Sequence, residues 1–497
     1  MQLSEKYYLS LSISFAFLCL ALYSLYIQPW IFDDAFIFFR YAENLNNGNG
    51  LVYNVGERVE GYTSFLWVIL MAFGDLAGFN IILFSKIMGL IFASGCVLLT
   101  AFSYKFTDVI KPVTASTATF FLGTTGIFLP WGVSGAETTM FAFLILLSVL
   151  YYMSIRSSGS PCDFSLLGAI AAVSTLTRPE GALIFLIIIL DQISSSQTRK
   201  RSVYRHSIFF FILLVIPHFT WRLIYYGYPL PNPFYAKVGF GISQVLRGCR
   251  YMVKFGIPAL LIVLPLIDPV FINDFLRRQR VMYPMFIIVI VYTFYVILVG
   301  GDFVPGVRFF APVMAFICIL SASAIRLIYS RKITPFLISI TVLYNIYMLN
   351  FYYITPQMVT EPVTEAGREV GLWLKNNAAP DAVIATNTAG SIPYYSGLKT
   401  IDMLGLNDAH IAHREMPDMG ARYAGHEKAD GRYVLDRKPD YIQFWSSLGW
   451  ETPVFRSDKE LYALPEFHEE YELRKITLPS GKILKLFEKR QNKDRDL

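Results

Sequence analysis

Runs of roughly 20 mostly apolar residues recur through 8–350, each about as long as a helix needs to be to cross roughly 30 Å of hydrocarbon at about 1.5 Å per residue. A chain built this way closes its backbone hydrogen bonds inside helices and takes the bilayer as its solvent. With 54% hydrophobic and only 16% charged residues, and a mean hydropathy of +0.45, a soluble enzyme of this length is excluded. After residue 353 the texture changes: charged residues, Gly and Pro become frequent and no run is long enough to span. The chain therefore divides into a membrane part, 1–354, and a water-exposed domain, 355–497.

Loop charge sets the expected topology. Spans are expected at 8–28, 82–103, 113–130, 138–155, 164–176, 180–193, 206–226, 252–270, 282–299, 308–328 and 334–353. The run 63–79, broken by Gly74, Asp75 and Gly78, is read as a juxtamembrane helix at the interface. Eleven spans leave the amino terminus inside and the tail outside. Lys105, Lys111, Arg156, the clusters 199–201 with Arg205 and 277–280, and Arg331-Lys332 then all face the cytoplasm, the positive-inside pattern. The net charge of +6 thus belongs to membrane topology, and nucleic acid is not an expected partner. The five cysteines, Cys19, Cys96, Cys162, Cys249 and Cys318, show neither a CxxC pair nor a His at ligand spacing, so no metal or disulfide is expected. The run 8–27 has no small-x-small cleavage site and is read as a retained helix.

The outward loops 29–62, 131–137, 176–180, 227–251 and 300–308 collect carboxylates and arginines. Ionisable groups beside bilayer spans are costly unless hydrated or paired, so their concentration on one face points to a polar chamber. In the first loop Asp33-Asp34 precede a helical apolar stripe over 35–45. One carboxylate at that position is accounted for as a helix cap; a pair suits general-base chemistry, one oxygen accepting a proton while its neighbour orients the donor. Elsewhere two accounts stand side by side. Lys237, after Pro229, Pro231 and Pro233, is expected on a stiff, non-helical loop, either binding a lipid phosphate or snorkelling. Arg308 either pairs with Asp302 or clamps phosphate. Arg178 and Glu180 form a hairpin salt bridge or contact substrate, and Glu137 caps a helix or binds acceptor. His410 and His413 stand i, i+3 with no third metal ligand in range, so hydrogen bonding suits them better than a metal.

The first loop also resembles the GT-C superfamily of polytopic glycosyltransferases, in which an acidic residue of this loop is the catalytic base. The stretch 33–64, with Gly48-Asn49-Gly50-Leu51-Val52-Tyr53-Asn54 and Gly56-Glu57-Arg58-Val59-Glu60-Gly61-Tyr62, is similar to the branch containing mycobacterial terminal β-(1→2)-arabinofuranosyltransferases. Ser134-Gly135-Ala136-Glu137-Thr138, Thr177-Arg178-Pro179-Glu180-Gly181, the segments 225–237 and 300–309, and in the tail 390–397 and 401–408 fit the same branch. The resemblance implies a mainly α, polytopic GT-C fold with a C-terminal extracytoplasmic α/β domain. It implies inverting transfer of a sugar from a polyprenyl-phosphate donor to a glycan or glycolipid, without a cofactor or metal. Asp33 or Asp34 would be the base; Lys237, Arg308 and Arg40 would hold the donor phosphate. Arg58, Glu60, Tyr62, Glu137, Arg178, Glu180, Asp302, Asp402, His410 and His413 would contact substrate. Protein O-glycosylation shares this architecture. A lipid-linked sugar transporter is the alternative outside the enzymes, and it expects charges near the membrane midplane.

In the tail, helical spacing over 364–377 ends at Pro380. Strands are expected at 382–385, 399–403 and 440–444, followed by a hairpin pairing 471–476 with 483–487 around Pro479-Ser480-Gly481. No GxGxxG or P-loop sequence is present, so no nucleotide site is expected there.

Overall fold

The computed structural model describes residues 3–195, 202–239, 241–278, 280–304, 306–329, 332–349 and 362–490. Within these, six helices are long and apolar enough to cross a membrane: Leu3–Tyr26, Ile81–Ala101, Thr138–Ile155, Tyr204–Tyr226, Arg280–Leu298 and Arg308–Ile328. A seventh is counted if Ile242–Gly256 and Leu260–Ile267, bent by 91° at their junction, make one broken span. Helices apolar all round are sorted by how much of their surface other helices cover. Thr138–Ile155 and Arg308–Ile328 are mostly buried and form the centre, whereas Tyr204–Tyr226 is almost wholly exposed, presenting Phe209, Leu213 and Ile216 outward.

The structure departs from the eleven expected spans in instructive ways. The run 113–130 is a helix only over Pro112–Thr124; Pro130 and Gly132 turn the remainder into a short 3-10 segment, Leu129–Gly132. The runs at 164–176 and 180–193 are helices of 17 and 14 residues, the first begun by a Ser160–Asp163 capping box. In place of a straight span at 252–270 lies an amphipathic helix, Ile242–Gly256, whose buried residues Gln244, Gly248, Tyr251 and Phe255 form one stripe. The run 63–79 is the 12-residue helix Phe65–Leu76, about 18 Å long and too short to span. The last run is helical over Thr334–Met348. Residues 350–353 of that run, the basic residues 199–201 and Arg331, Pro305, and the expected domain boundary at 354/355 lie outside the described residues.

The C-terminal domain follows its sequence pattern closely. Helix Pro362–Asn377 covers a five-stranded sheet of order β2-β1-β3-β5-β4, with β1 Val383–Thr386, β2 Lys399–Asp402, β3 Tyr441–Gln443, β4 Tyr471–Thr477 and β5 Ile483–Lys489. β1 pairs in parallel with both β2 and β3, while β5 runs antiparallel to β3 and β4. Ile384, Ile401 and Ile442 are fully buried at its centre, and Val370 and Leu374 of the covering helix pack on Ile384 and Leu484.

Backbones in the bundle approach closely at glycine. A Cβ on Gly168 would overlap the Ser207 carbonyl on helix Tyr204–Tyr226, the small-residue contact that packs helices where burial of apolar surface gives no drive. Gly168→Ala is expected to cost about 1–3 kcal/mol through overpacking and to lower the thermal unfolding midpoint in detergent. Gly256→Ala, whose Cβ meets nothing within 4 Å, is the matched control and should leave that midpoint in place.

Candidate active site

The two aspartates ahead of helix Ala35–Asn46 have separate fates. The Asp33 carboxylate turns into the C-terminal domain and accepts hydrogen bonds from the Gly390 N–H (3.1 Å), the Ser391 N–H (3.0 Å) and the Ser391 hydroxyl (2.6 Å). Burial, helped by the neighbouring Asp34 charge, raises its pKa to about 6 against the pull of those three donors. Gly390 has to be glycine here, since a Cβ would overlap the Asp33 backbone carbonyl. Asp34 occupies the N-cap position but makes no capping hydrogen bond. Its carboxylate stands 4.0 Å from the Lys237 ammonium.

Around Asp33 the first outer loop is keyed to the C-terminal domain by buried polar groups. Arg40, expected to bind donor phosphate, is instead a bracket: its guanidinium donates to the carbonyls of Tyr53 (2.7 Å), Pro393 (2.5 Å) and Leu398 (2.8 Å) and lies over the Tyr53 ring. With the Asn54 Oδ1 at 3.3 Å, four of its five N–H groups meet protein acceptors, and it lines neither of the two cavities that meet at Asp34. The Asn54 amide donates to the Thr400 carbonyl and accepts from the Thr400 N–H. The Tyr53 hydroxyl donates to Ala389, and Glu57 pairs with both Lys399 and Arg437.

Two cavities meet at Asp34 and Lys237, which line both. One, of about 420 Å³, reaches into the helix bundle and is lined by Tyr62, Glu137, Arg178, Glu180, Asp302 and Arg308 among others. The second, of about 450 Å³, lies under the C-terminal domain and carries His426 on its wall. In the bundle cavity Arg178 is shared between Glu137 (2.6 Å) and Glu180 (2.8 Å), and the Tyr295 hydroxyl donates to Glu180 (2.8 Å). The hairpin salt bridge is therefore present, extended by Glu137, which makes no capping bond on helix Thr138–Ile155. Arg308 pairs with Asp302 at 2.7 Å, beneath the Phe32 ring at 4.8 Å. The backbone that aims Arg308 is strained: Gly306 and the β-branched Val307 both have positive φ, +89° and +47°. Such a conformation persists for a β-branched residue only where surrounding structure imposes it.

Lys237 sits differently from the expected extended loop. Pro233 lies in the first turn of a short helix, Asn232–Lys237, where its missing N–H costs nothing, and Lys237 closes the last turn. Asn232 anchors that helix by donating to the carbonyls of Gly405 and Leu406. Tyr62 lines the bundle cavity with its hydroxyl against Tyr226 (3.0 Å).

The other expected contact residues stand outside the two cavities. Arg58 covers the Tyr225 ring. Glu60 is buried opposite Arg222 at 3.6 Å, and burial, only partly offset by Arg222, raises its pKa to about 8. Asp402 is fully buried and ties a turn, accepting from the N–H groups of Leu404 and Asn407. His410 pairs with Asp430 and stacks on Tyr433, and His413 is sandwiched by Tyr228 and Tyr235 while its Nδ1 bonds the Ala409 carbonyl. Sequence reasoning missed His426 and Tyr295. Tyr295 sits inside a span with nothing to distinguish it, and His426 belongs to an irregular stretch of the tail whose place over Lys237 only the tertiary fold reveals.

A family model described as a domain of unknown function (DUF8728) matches residues 354–492. A terminal β-(1→2)-arabinofuranosyltransferase of Mycobacterium tuberculosis is 28% identical over 285 residues, 51% of this chain and 42% of that protein, so the chain spans less than half the length of that curated relative. ArnT from Cupriavidus metallidurans bound to undecaprenyl phosphate superposes with a TM-score of 0.55 at 12% identity, covering 78% of this chain and 85% of that one. The arabinofuranosyltransferase AftD from Mycobacteria gives a TM-score of 0.55 at 11% identity, over 99% of this chain and 40% of that one. The chain thus shares the fold of these solved proteins, a mainly α-helical bundle with several long apolar helices and a C-terminal domain containing a β-sheet.

Glu60 supplies a measurable pH dependence. Its pKa is raised on folding from 4.5 to about 8, so the folded state holds its proton more tightly, and the stability this contributes is present at low pH and lost as pH rises through that window. Thermal melts of the wild type should fall relative to those of Glu60→Gln between pH 5 and pH 8, and the two curves should run parallel if Glu60 titrates normally.

Proposed function

We propose that this protein transfers a sugar from a polyprenyl-phosphate carrier to a hydroxyl of a cell-envelope glycan or glycolipid on the extracytoplasmic side of the membrane, and that the sugar is arabinofuranose. The observation that carries the reading is the meeting of two cavities at one carboxylate and one ammonium, Asp34 and Lys237. A bisubstrate transfer needs such a junction, with donor on one side, acceptor on the other, and a base between them. The likeness to the M. tuberculosis arabinofuranosyltransferase supports the choice of sugar. Arg156, at the far end of the helix that begins beside Glu137, supports the orientation.

Asp34 is the base in this scheme. Its carboxylate is neither capping nor bonded into the C-terminal domain, whereas Asp33 is committed to Gly390 and Ser391. Asp34 takes the acceptor hydroxyl proton as that oxygen attacks the anomeric carbon. The bond from that carbon to the phosphate oxygen breaks on the opposite face, with inversion, and the lipid phosphate departs with the electron pair. Lys237 and Arg308 stabilise the charge that grows on the phosphate, where preorganised cations help most. Arg178, balanced between Glu137 and Glu180, holds the wall of the donor cavity. Arg40 and Asp33 act as positioning residues that fix the loop bearing Asp34.

Transfer of labelled sugar from synthetic polyprenyl-phosphate donors by the purified protein tests this. Asp34→Asn should reduce transfer by about 10²- to 10⁴-fold, the usual worth of a general base, with an unchanged melting temperature. Asp33→Asn should lower the melting temperature as well as activity. Full activity in Asp34→Asn would remove the base, and failure to transfer from any donor would favour a transporter of the lipid-linked sugar.

A further inference from the structure

The cavity under the C-terminal domain has a construction of its own. It opens at the carboxyl ends of the three parallel strands: Asn387 and Thr388 follow β1, Leu404 and Leu406 follow β2, and Trp445 and Ser446 follow β3. From β1 the chain moves to β2 on one side, and then crosses to β3 on the other. That arrangement leaves a crevice beyond the carboxyl ends of β1 and β3, the place where open parallel sheets take their ligands. The crevice is built rather than accidental. Thr386 on β1 donates to Gln443 on β3 (3.0 Å), Gln443 in turn holds the Ser447 carbonyl (2.5 Å), and the Asn387 amide is fixed by Asp458 and Ser457.

Trp445 is the exceptional residue on this wall. Its φ of +62° lies in the left-handed region, where a bulky side chain is a true outlier and strain marks function more often than chance. Its indole is nevertheless 38% exposed, supported edge-on by Trp450 at 5.2 Å, which is itself covered by the Lys485 ammonium. Tyr423, 71% exposed, stands at the same cavity. Strain at a residue left 38% exposed on a cavity wall is only partly returned as packing, and a ligand that covers the free ring face is the use it fits. The wall around these rings carries hydroxyls and an amide, from Thr388, Ser446 and Asn387, and no charge; the carboxylates and the ammonium, Asp33, Asp34 and Lys237, are drawn from the membrane part of the chain. Exposed rings beside neutral hydrogen-bonding groups match a saccharide, which offers C–H faces to a π-surface and hydroxyls to polar side chains.

Building on the glycosyl-transfer reading, we infer that the strand-end crevice is the acceptor subsite, with Trp445 as the platform on which a neutral oligosaccharide stacks, its terminal hydroxyl directed toward Asp34. The charged groups of the cavity, Asp33, Asp34 and Lys237, all come from the membrane part of the chain, so the stretch of wall around Trp445 offers a ligand ring faces and hydrogen bonds rather than ion pairs.

The test uses the full chain in detergent and two readouts. Fluorescently labelled neutral oligosaccharides (oligo-arabinofuranosides, with manno- and galacto-oligosaccharides beside them) are titrated by anisotropy against wild type, Trp445→Gly and Trp445→Phe. At least one series should bind the wild type. Trp445→Gly should weaken it by about 3- to 10-fold, the worth of an aromatic contact, and Trp445→Phe should recover most of it. Trp445→Gly relieves the positive-φ strain but gives up the contact with Trp450, so binding is compared below the melting midpoints of all three proteins, and recovery by Trp445→Phe separates lost binding from lost folding. In the transfer assay the same factor should appear in acceptor KM with kcat little changed. Equal binding by wild type and Trp445→Gly, or no neutral oligosaccharide bound by the wild type, overturns the subsite. Trp445-dependent binding without transfer from any donor would keep the subsite and sink the transferase reading; transfer with an acceptor KM indifferent to Trp445 would do the reverse.

Discussion

The Asp33 carboxylate, bound by the Gly390 and Ser391 N–H groups and the Ser391 hydroxyl, is the contact on which the rest of the arrangement depends. It joins the first outer loop to the C-terminal domain at the start of helix Ala35–Asn46, one residue before Asp34. Three donors on one buried carboxylate are strong together because each is charge-assisted. Arg40, Asn54 and Tyr53 extend the seam along the same loop. With the helix start pinned on one side, Asp34 is left facing the junction of two cavities. Adjacent and chemically identical, the two aspartates thus differ in their partners: Asp33 is bonded to Gly390 and Ser391, while the Asp34 carboxylate has the Lys237 ammonium at 4.0 Å.

Electrostatics in the bundle cavity follows a single rule. Each buried cation has a carboxylate within ion-pair distance: Arg178 has Glu137 and Glu180, and Arg308 has Asp302. Unpaired charges at that depth would cost several kcal/mol each. Lys237 and Asp34, at 4.0 Å and both about a quarter exposed, form the loosest of these pairs. An anionic headgroup can compete for that ammonium at the least cost in broken contacts, which releases the carboxylate in the same movement.

How much of this was legible in the sequence depended on whether the signal was local. The tail's helix and five strands were, because period and turn residues at Pro380 and Pro479-Ser480-Gly481 act over a few positions. Of the polar residues the expected outward loops collect, Asp34, Lys237, Glu137, Arg178, Glu180, Asp302, Arg308 and Tyr62 line one cavity. Arg40 and Asp402 did not separate from that group, since a charged residue buried against backbone groups, carbonyls for Arg40 and N–H groups for Asp402, has the same letter as one facing a ligand. The difference between them is made by residues 393 and 398, more than 350 positions from Arg40. Span lengths failed for a related reason: hydropathy reports what a segment tolerates, while Pro130, Gly132 and the bend after Gly256 decide where a helix actually stops.

The seam between loop and tail also orders the events of biogenesis. Residues 31–60 leave the ribosome well before 390–400, whose groups satisfy Asp33, Arg40 and Asn54, so these polar side chains wait for partners about 350 positions further along the chain. Contacts of such separation form late, after the entropy of closing a very long loop has been met. The apolar helices can therefore insert and pair while the loop that carries Asp34 is still open and unaligned. Folding of the sheet domain is then what closes the seam, and a chain truncated within that domain would leave a helical bundle whose first loop has nothing to close against.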